Sequence, residues 1–115
     1  MKADVLRDLA ISILEDMKGI DIVNLDIQTL TSMADYMIIC TGRSSRHLQA
    51  MADELALKAK VNKIHPIHVE GQGDSEWILV DLGDVIVHVM TANTRSFYDL
   101  ESLWEPLKEL REQQG

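Results

Sequence analysis

Apolar residues recur at helical spacing at the start of the chain, at Val5, Leu6, Leu9, Ala10, Ile13, Leu14 and Met17, and the pattern stops at Gly19. That spacing predicts an amphipathic helix ended by the glycine. The period then changes. Ile20 to Asp26 reads as a strand, and after a polar loop Asp35 to Thr41 reads as a second, more buried one. Gly42, Arg43, Ser44 and Ser45 break the run, and either serine can cap a helix whose apolar stripe is Leu48, Met51, Ala52, Leu55 and Ala59. Pro66 to Glu70 is the next strand, and the βαβ unit so formed is expected to cross over right-handedly to a parallel neighbour. After Met90 the spacing is helical again, with Phe97, Leu100, Leu103 and Trp104, and Pro106 separates this segment from a polar tail.

Between the last strand and that helix lies the run WILVDLGDVIVHVM, Trp77 to Met90, apolar except at Asp81, Asp84 and His88. Its β-branched residues and central glycine predict a hairpin turning at Leu82-Gly83, with Asp81 opposite Asp84, Leu79 opposite Ile86 and Trp77 opposite His88. Because side chains alternate faces, the polar groups share a face with Trp77, and Ile78, Val80, Val85, Val87 and Val89 form an aliphatic face suited to packing under helices. The fold class is therefore α/β in a two-layer, α+β sense: a mixed sheet of about five strands, a usual size, with flanking helices. One domain is expected over residues 1–104, followed by a polar C-terminal tail, 105–115.

Composition narrows the function classes. A chain of 115 residues buries a real core without disulfides or a structural metal. Net charge is −8, from 19 acidic and 11 basic residues, which opposes direct binding to DNA or RNA and favours a basic protein as partner. Cys40 is the single cysteine and lies in an apolar run, so it is expected as core filler in a reducing compartment. The first segment carries Asp4, Asp8, Glu15 and Asp16, unlike a presequence, and no apolar run approaches the ~20 residues of a membrane span. A cytoplasmic location without membrane contact is the expectation.

Candidate chemistry is sparse. The turn from Thr41 to Ser45 can cradle a phosphate, since exposed N–H groups and the helix dipole favour anions there, but its spacing fits neither a P-loop nor G-x-G-x-x-G. Its closest analogue is the Gly-Ser turn of nucleotidyltransferases, whose chemistry also needs paired carboxylates on the following strand to hold Mg²⁺. That strand offers only Glu70, so an ordinary capped turn is favoured. Asp81 and Asp84 flank a glycine turn, where carboxylates satisfy local backbone donors. His65 and His68, three apart in an expected strand, point to opposite faces and cannot chelate one ion; His47 has no matching ligand. His88 reads equally as a hydrogen-bonded packing residue and as an acid or base. Neither catalysis nor a metal or cofactor site is expected.

The aromatic pattern is stronger. Trp77, Phe97, Tyr98 and Trp104 fall in the last third, interleaved with Asp81, Asp84, His88, Arg95, Asp99 and Glu101. Phe97 and Trp104 are assigned to the core. Trp and Tyr among arginine and acidic neighbours compose the usual centre of a protein-binding patch.

Three blocks in this order, DYMIICTGRSSRH (Asp35 to His47), WILVDLGDVIVHVM and RSFYDLESLW (Arg95 to Trp104), closely resemble the Iojap family of ribosomal silencing factors, RsfS. The resemblance runs from about Val5 to Trp104. It implies a nucleotidyltransferase-like fold lacking the catalytic carboxylates, and a regulator rather than an enzyme. It further implies binding to the fourteenth large-subunit ribosomal protein at the intersubunit face, which blocks subunit joining and lowers translation when nutrients are scarce. Carried over residue by residue, the partner-binding positions are Trp77, Asp81, His88, Arg95, Tyr98, Leu100 and Glu101. Trp77 and Tyr98 are expected as apolar anchors, Asp81 and Glu101 as acceptors for Lys or Arg, and Arg95 and His88 as organisers. Two rivals stand beside this reading: a residual nucleotidyltransferase or nucleotide-binding domain using the Gly42 turn, and a dimeric structural adaptor. A weak homodimer in solution is also expected, since exposed apolar surface often marks self-contact.

Overall fold

The computed structural model describes residues 1–65, 67–73 and 75–102. Helix α1 (Ala3–Asp16) buries Leu6, Ala10, Ile13 and Leu14, the stripe that the spacing marks. It closes in a Schellman motif, with Gly19 N–H donating to the Leu14 carbonyl and Lys18 N–H to that of Glu15. The left-handed residue is Lys18, at φ 64, and not Gly19 as the helix stop predicts. Gly19 is required for a different reason: a Cβ there would sit 2.5 Å from Cys40 Sγ and 3.0 Å from the Leu14 carbonyl oxygen.

Strands β1 (Ile20–Asp26) and β2 (Tyr36–Gly42) pair antiparallel. Helix α2 (Ser45–Val61) is capped by Ser44, whose Oγ accepts from His47 N–H at 3.1 Å, and it buries Leu48, Met51, Ala52, Leu55 and Ala59. Each large residue of that stripe contributes roughly 1.5–3 kcal/mol by leaving water. Strands β3 (His68–Glu70), β4 (Trp77–Asp81) and β5 (Val85–Thr91) follow, then helix α3 (Ala92–Tyr98). Helical conformation resumes at residues 100–102. Trp104, and with it the expected boundary between domain and tail, lies outside the described residues.

The five strands form one mixed sheet in the order β1-β2-β5-β4-β3. This corrects the βαβ expectation. The parallel partner of β2 is β5, while β3 is an edge strand antiparallel to β4. The intervening hairpin takes the central place because β5 is buried along nearly its whole length, whereas the three-residue β3 has two exposed positions.

The hairpin is also shifted by two residues from the expected register. Leu79 pairs with His88 and Trp77 with Met90, because the turn is at Gly83-Asp84, closed by Leu82 N–H on the Val85 carbonyl. Gly83, at φ 88, supplies the positive dihedral at the first central position. A shift of two leaves every side chain on its expected face. Ile78, Val80, Val85, Val87 and Val89 join α1 and α2 in the larger core, together with the buried Cys40. The other face carries a smaller cluster of Ile27, Ala34, Met37, Ile39, Ile86 and Met90, with Leu25, Trp77, Leu79 and Leu100 packed at its margin.

Candidate functional site

The second face of the sheet brings most of the expected site residues together. Trp77 is half-buried on β4, bracketed by Ser75, whose Oγ accepts from Trp77 N–H at 3.1 Å and donates to the Trp77 carbonyl at 2.7 Å. The indole Nε1–H donates to His88 Nδ1 at 3.0 Å. An indole nitrogen can only donate, so Nδ1 is unprotonated and the imidazole proton sits on Nε2. The electrostatics agree. His88 is 6% exposed, and burial pulls its pKa down to about 4, so the ring is neutral. Buried in this way, His88 serves as a hydrogen-bonding prop for Trp77.

The aromatic chain continues outward. Trp77 and Tyr98 ring centroids are 4.8 Å apart, and those of Tyr98 and Phe97 are 5.1 Å apart in an edge-to-face arrangement. Tyr98 is 55% and Phe97 80% exposed. The assignment of Phe97 to the core is therefore overturned: α3 contributes no buried residue, and its apolar spacing points to solvent. Leu100, by contrast, packs at the margin of the smaller core cluster.

Polar members of the set have local partners. Asp81 Oδ1 accepts from Gly83 N–H at 2.8 Å and so fixes the hairpin turn. Arg95 Nε–H donates to Glu101 Oε1 at 2.7 Å, and its Nη1 donates to the Asp21 carbonyl at 2.6 Å and to Thr41 Oγ1 at 2.9 Å. Glu101 thus already accepts a cation from its own chain.

Leu79 and Glu70 are members that the sequence reading does not assign to the site. Glu70 pairs with Leu79 across β3 and β4, and both line a shallow hollow with Gly71 and Trp77. Gly71, at φ 88, leaves no room for a Cβ against the Trp77 carbonyl oxygen. The signal for this grouping is the β3–β4 pairing, which the chain pattern does not contain. Glu70 Oε1 also meets His68 Nε2 at 2.8 Å, and His65 is exposed ahead of the strand.

The Gly42 turn lies elsewhere, at the carboxyl ends of the parallel strands β2 and β5. A cleft of about 450 Å³ there is lined by Thr41, Gly42, Arg43, Ser44, Glu76 and Asn93 among others. Gly42 is closely packed, and a Cβ there would push against the Leu48 side chain and stand 3.0 Å from Met51 Cε. His47, left without a role by the sequence, clamps the turn: Nδ1 accepts from Arg43 N–H at 3.0 Å, and Nε2–H donates to the Met17 carbonyl at 2.7 Å. Glu70 belongs to the far edge strand, and among the described residues the carboxylate in the cleft lining is Glu76.

The family described as "Ribosomal silencing factor during starvation", RsfS, matches residues 2–114, a span that runs past Trp104. A ribosomal silencing factor of Chromobacterium violaceum is 44% identical over 104 residues, covering 90% of this chain and 85% of the relative. A mouse protein named for mitochondrial assembly of the ribosomal large subunit is 33% identical over 100 residues, covering 84% of this chain and 44% of its own length. A crystal structure of a Chromobacterium violaceum protein superposes with a TM-score of 0.87 at 44% identity, covering 91% of this chain and 88% of the other.

Proposed function

The chain belongs to the family of ribosomal silencing factors, and on that premise we propose that it docks on the large ribosomal subunit through the Trp77 face and sterically blocks joining of the small subunit. The direct partner in this reading is the fourteenth large-subunit ribosomal protein, and the consequence is repressed translation when nutrients are limiting. The observation that carries it is the exposed aromatic patch of Tyr98 and Phe97 continuous with Trp77, on the sheet face that α1 and α2 leave open. Apolar anchors beside Glu70 and Asp81 suit a basic protein surface, where aromatic residues supply contact area and carboxylates steer the approach.

The mechanism is occlusion, with no covalent step and no cofactor, in the cytoplasm. Gradient sedimentation of isolated subunits with and without the protein is the test. Co-migration with large subunits and fewer joined ribosomes are expected. Unchanged joining at saturating protein overturns the reading. Weak self-association belongs to the same reading, supported by exposed Leu57 and Val61 on α2. Light scattering should show mass rising with concentration, and a strict monomer at high concentration refutes it.

The cleft at the Gly42 turn supports a second reading, nucleotide binding left over from a nucleotidyltransferase-like ancestor. It has the size of a ligand pocket, but among the described residues its lining offers a single carboxylate where two-carboxylate metal chemistry needs a pair. Calorimetry with a panel of nucleotides and Mg²⁺ tests it, and the absence of heat sets it aside.

A further inference from the structure

Helix α3 carries Tyr98 and Phe97 yet buries no residue of its own. A helix of seven residues is too short to hold itself, so something else must fix it against the sheet. The Arg95 side chain, 12% exposed, ties that helix by hydrogen bonds to the sheet and to Glu101. Its guanidinium reaches in two directions. Toward the sheet, Nη1 donates to Thr41 Oγ1 and to the Asp21 carbonyl; toward the segment after the helix, Nε donates to Glu101.

The receiving end is shaped for this. Asp21 sits at φ 50, at the register shift in β1 between Ile20 and Val23, so the bulge interrupts the ladder where its carbonyl meets the arginine. Asp99, at φ 47, turns the chain after α3 so that Glu101 comes back to Arg95 and Leu100 reaches the smaller core. A planar fork with donors on several edges suits this arrangement, and a single ammonium does not.

We propose that Arg95 is a positioning residue: it holds α3 and the turn after it on the sheet, so that Tyr98 stands preorganised against Trp77 for the partner. This rests on the docking face proposed above. The fixed aromatic pair spares the complex the cost of ordering those side chains on association.

The experiment combines Arg95→Ala, Arg95→Lys and Tyr98→Ala with the double variant Arg95→Ala/Tyr98→Ala. Binding to large subunits, hydrogen exchange over residues 93–102 and the Trp77 indole N–H resonance are the readouts. Arg95→Ala should weaken binding by about tenfold, speed exchange in that segment alone and shift the indole signal as the Tyr98 ring leaves. Arg95→Lys should behave like the alanine variant. In the Tyr98→Ala background the same Arg95 change should cost no more than about twofold, because the two residues act as one unit.

Wild-type binding by Arg95→Ala, full rescue by lysine, or an undiminished loss in the Tyr98→Ala background each overturns the proposal. Thr41→Val, which removes one acceptor and keeps the arginine, should give the same signature in weaker form, and it decides the matter if Arg95→Ala unfolds. Failure of the wild-type protein to bind large subunits is a failure of the docking reading. The exchange and indole signals then still report on Arg95, and unchanged signals overturn its role.

Discussion

Trp77 illustrates how a residue can serve packing and docking together. The family resemblance implies an apolar docking anchor at Trp77, but the indole also supplies the donor to the buried His88 Nδ1. Trp77→Ala should therefore cost about 1–3 kcal/mol of stability from the orphaned acceptor, in addition to any lost partner contact. Tyr98→Ala separates the two effects better, because that ring is 55% exposed. It should change stability by about 1 kcal/mol or less while weakening large-subunit binding by roughly 2 kcal/mol, the range of interface hot spots. Denaturant melts alongside pull-downs decide this, and normal binding by Tyr98→Ala removes it from the docking face. His88 makes a second residue-scale prediction. Its folded pKa is near 4 against an ordinary value of 6.5, so between those limits the unfolded chain binds a proton that the native protein refuses. Stability contributed by the neutral ring is complete above pH 6.5 and is lost as pH falls to 4, by about 3 kcal/mol in all. The urea midpoint of the wild type should decline through this window more steeply than that of His88→Gln, whose amide oxygen can still accept the indole. Parallel declines would show that His88 does not set the slope.

Elements were legible where burial follows a simple period. The α2 stripe and the two faces of the hairpin follow from apolar spacing, and the faces survive a register error because the error is an even number of residues. Turn chemistry was less legible, since several dipeptides near a glycine can close the same hairpin. Helix ends show the same limit. Gly19 has the residue type of a left-handed stop, but Lys18 occupies that conformation while Gly19 is squeezed between Cys40 and the last turn of α1. The two positions should respond in opposite ways. Lys18→Gly relieves the left-handed strain and should be neutral or stabilising by up to about 1 kcal/mol. Gly19→Ala forces a methyl into occupied space and should destabilise by about 1–3 kcal/mol. Thermal melts of the pair check this, and a tolerated Gly19→Ala would mean that Cys40 moves aside without cost.

At the scale of the molecule, what the sequence hides is long-range pairing. Arg95 meets Thr41 and Asp21 across 54 and 74 residues, and Glu70 joins the Trp77 face only because β3 pairs with β4 and not with β2. Apolar runs identify strands without naming their neighbours, so the site's membership was legible along the hairpin and illegible across it. Charge is a whole-molecule property that needs no pairing to read. A net charge of −8, with Glu70 and Asp81 on the face proposed to dock, should draw the protein toward a basic ribosomal protein from beyond contact distance. Long-range attraction of this kind acts on the association rate and is screened by salt, whereas the aromatic contacts set the dissociation rate. Stopped-flow binding to large subunits should therefore slow by about tenfold between ~0.05 M and ~0.5 M salt, with dissociation nearly constant. Glu70→Lys is the directed variant, because Glu70 is exposed and Asp81 is needed for the turn. It should slow association at low salt and lose that handicap at high salt. An association rate indifferent to both salt and Glu70→Lys would place the docking surface away from this acidic aromatic face.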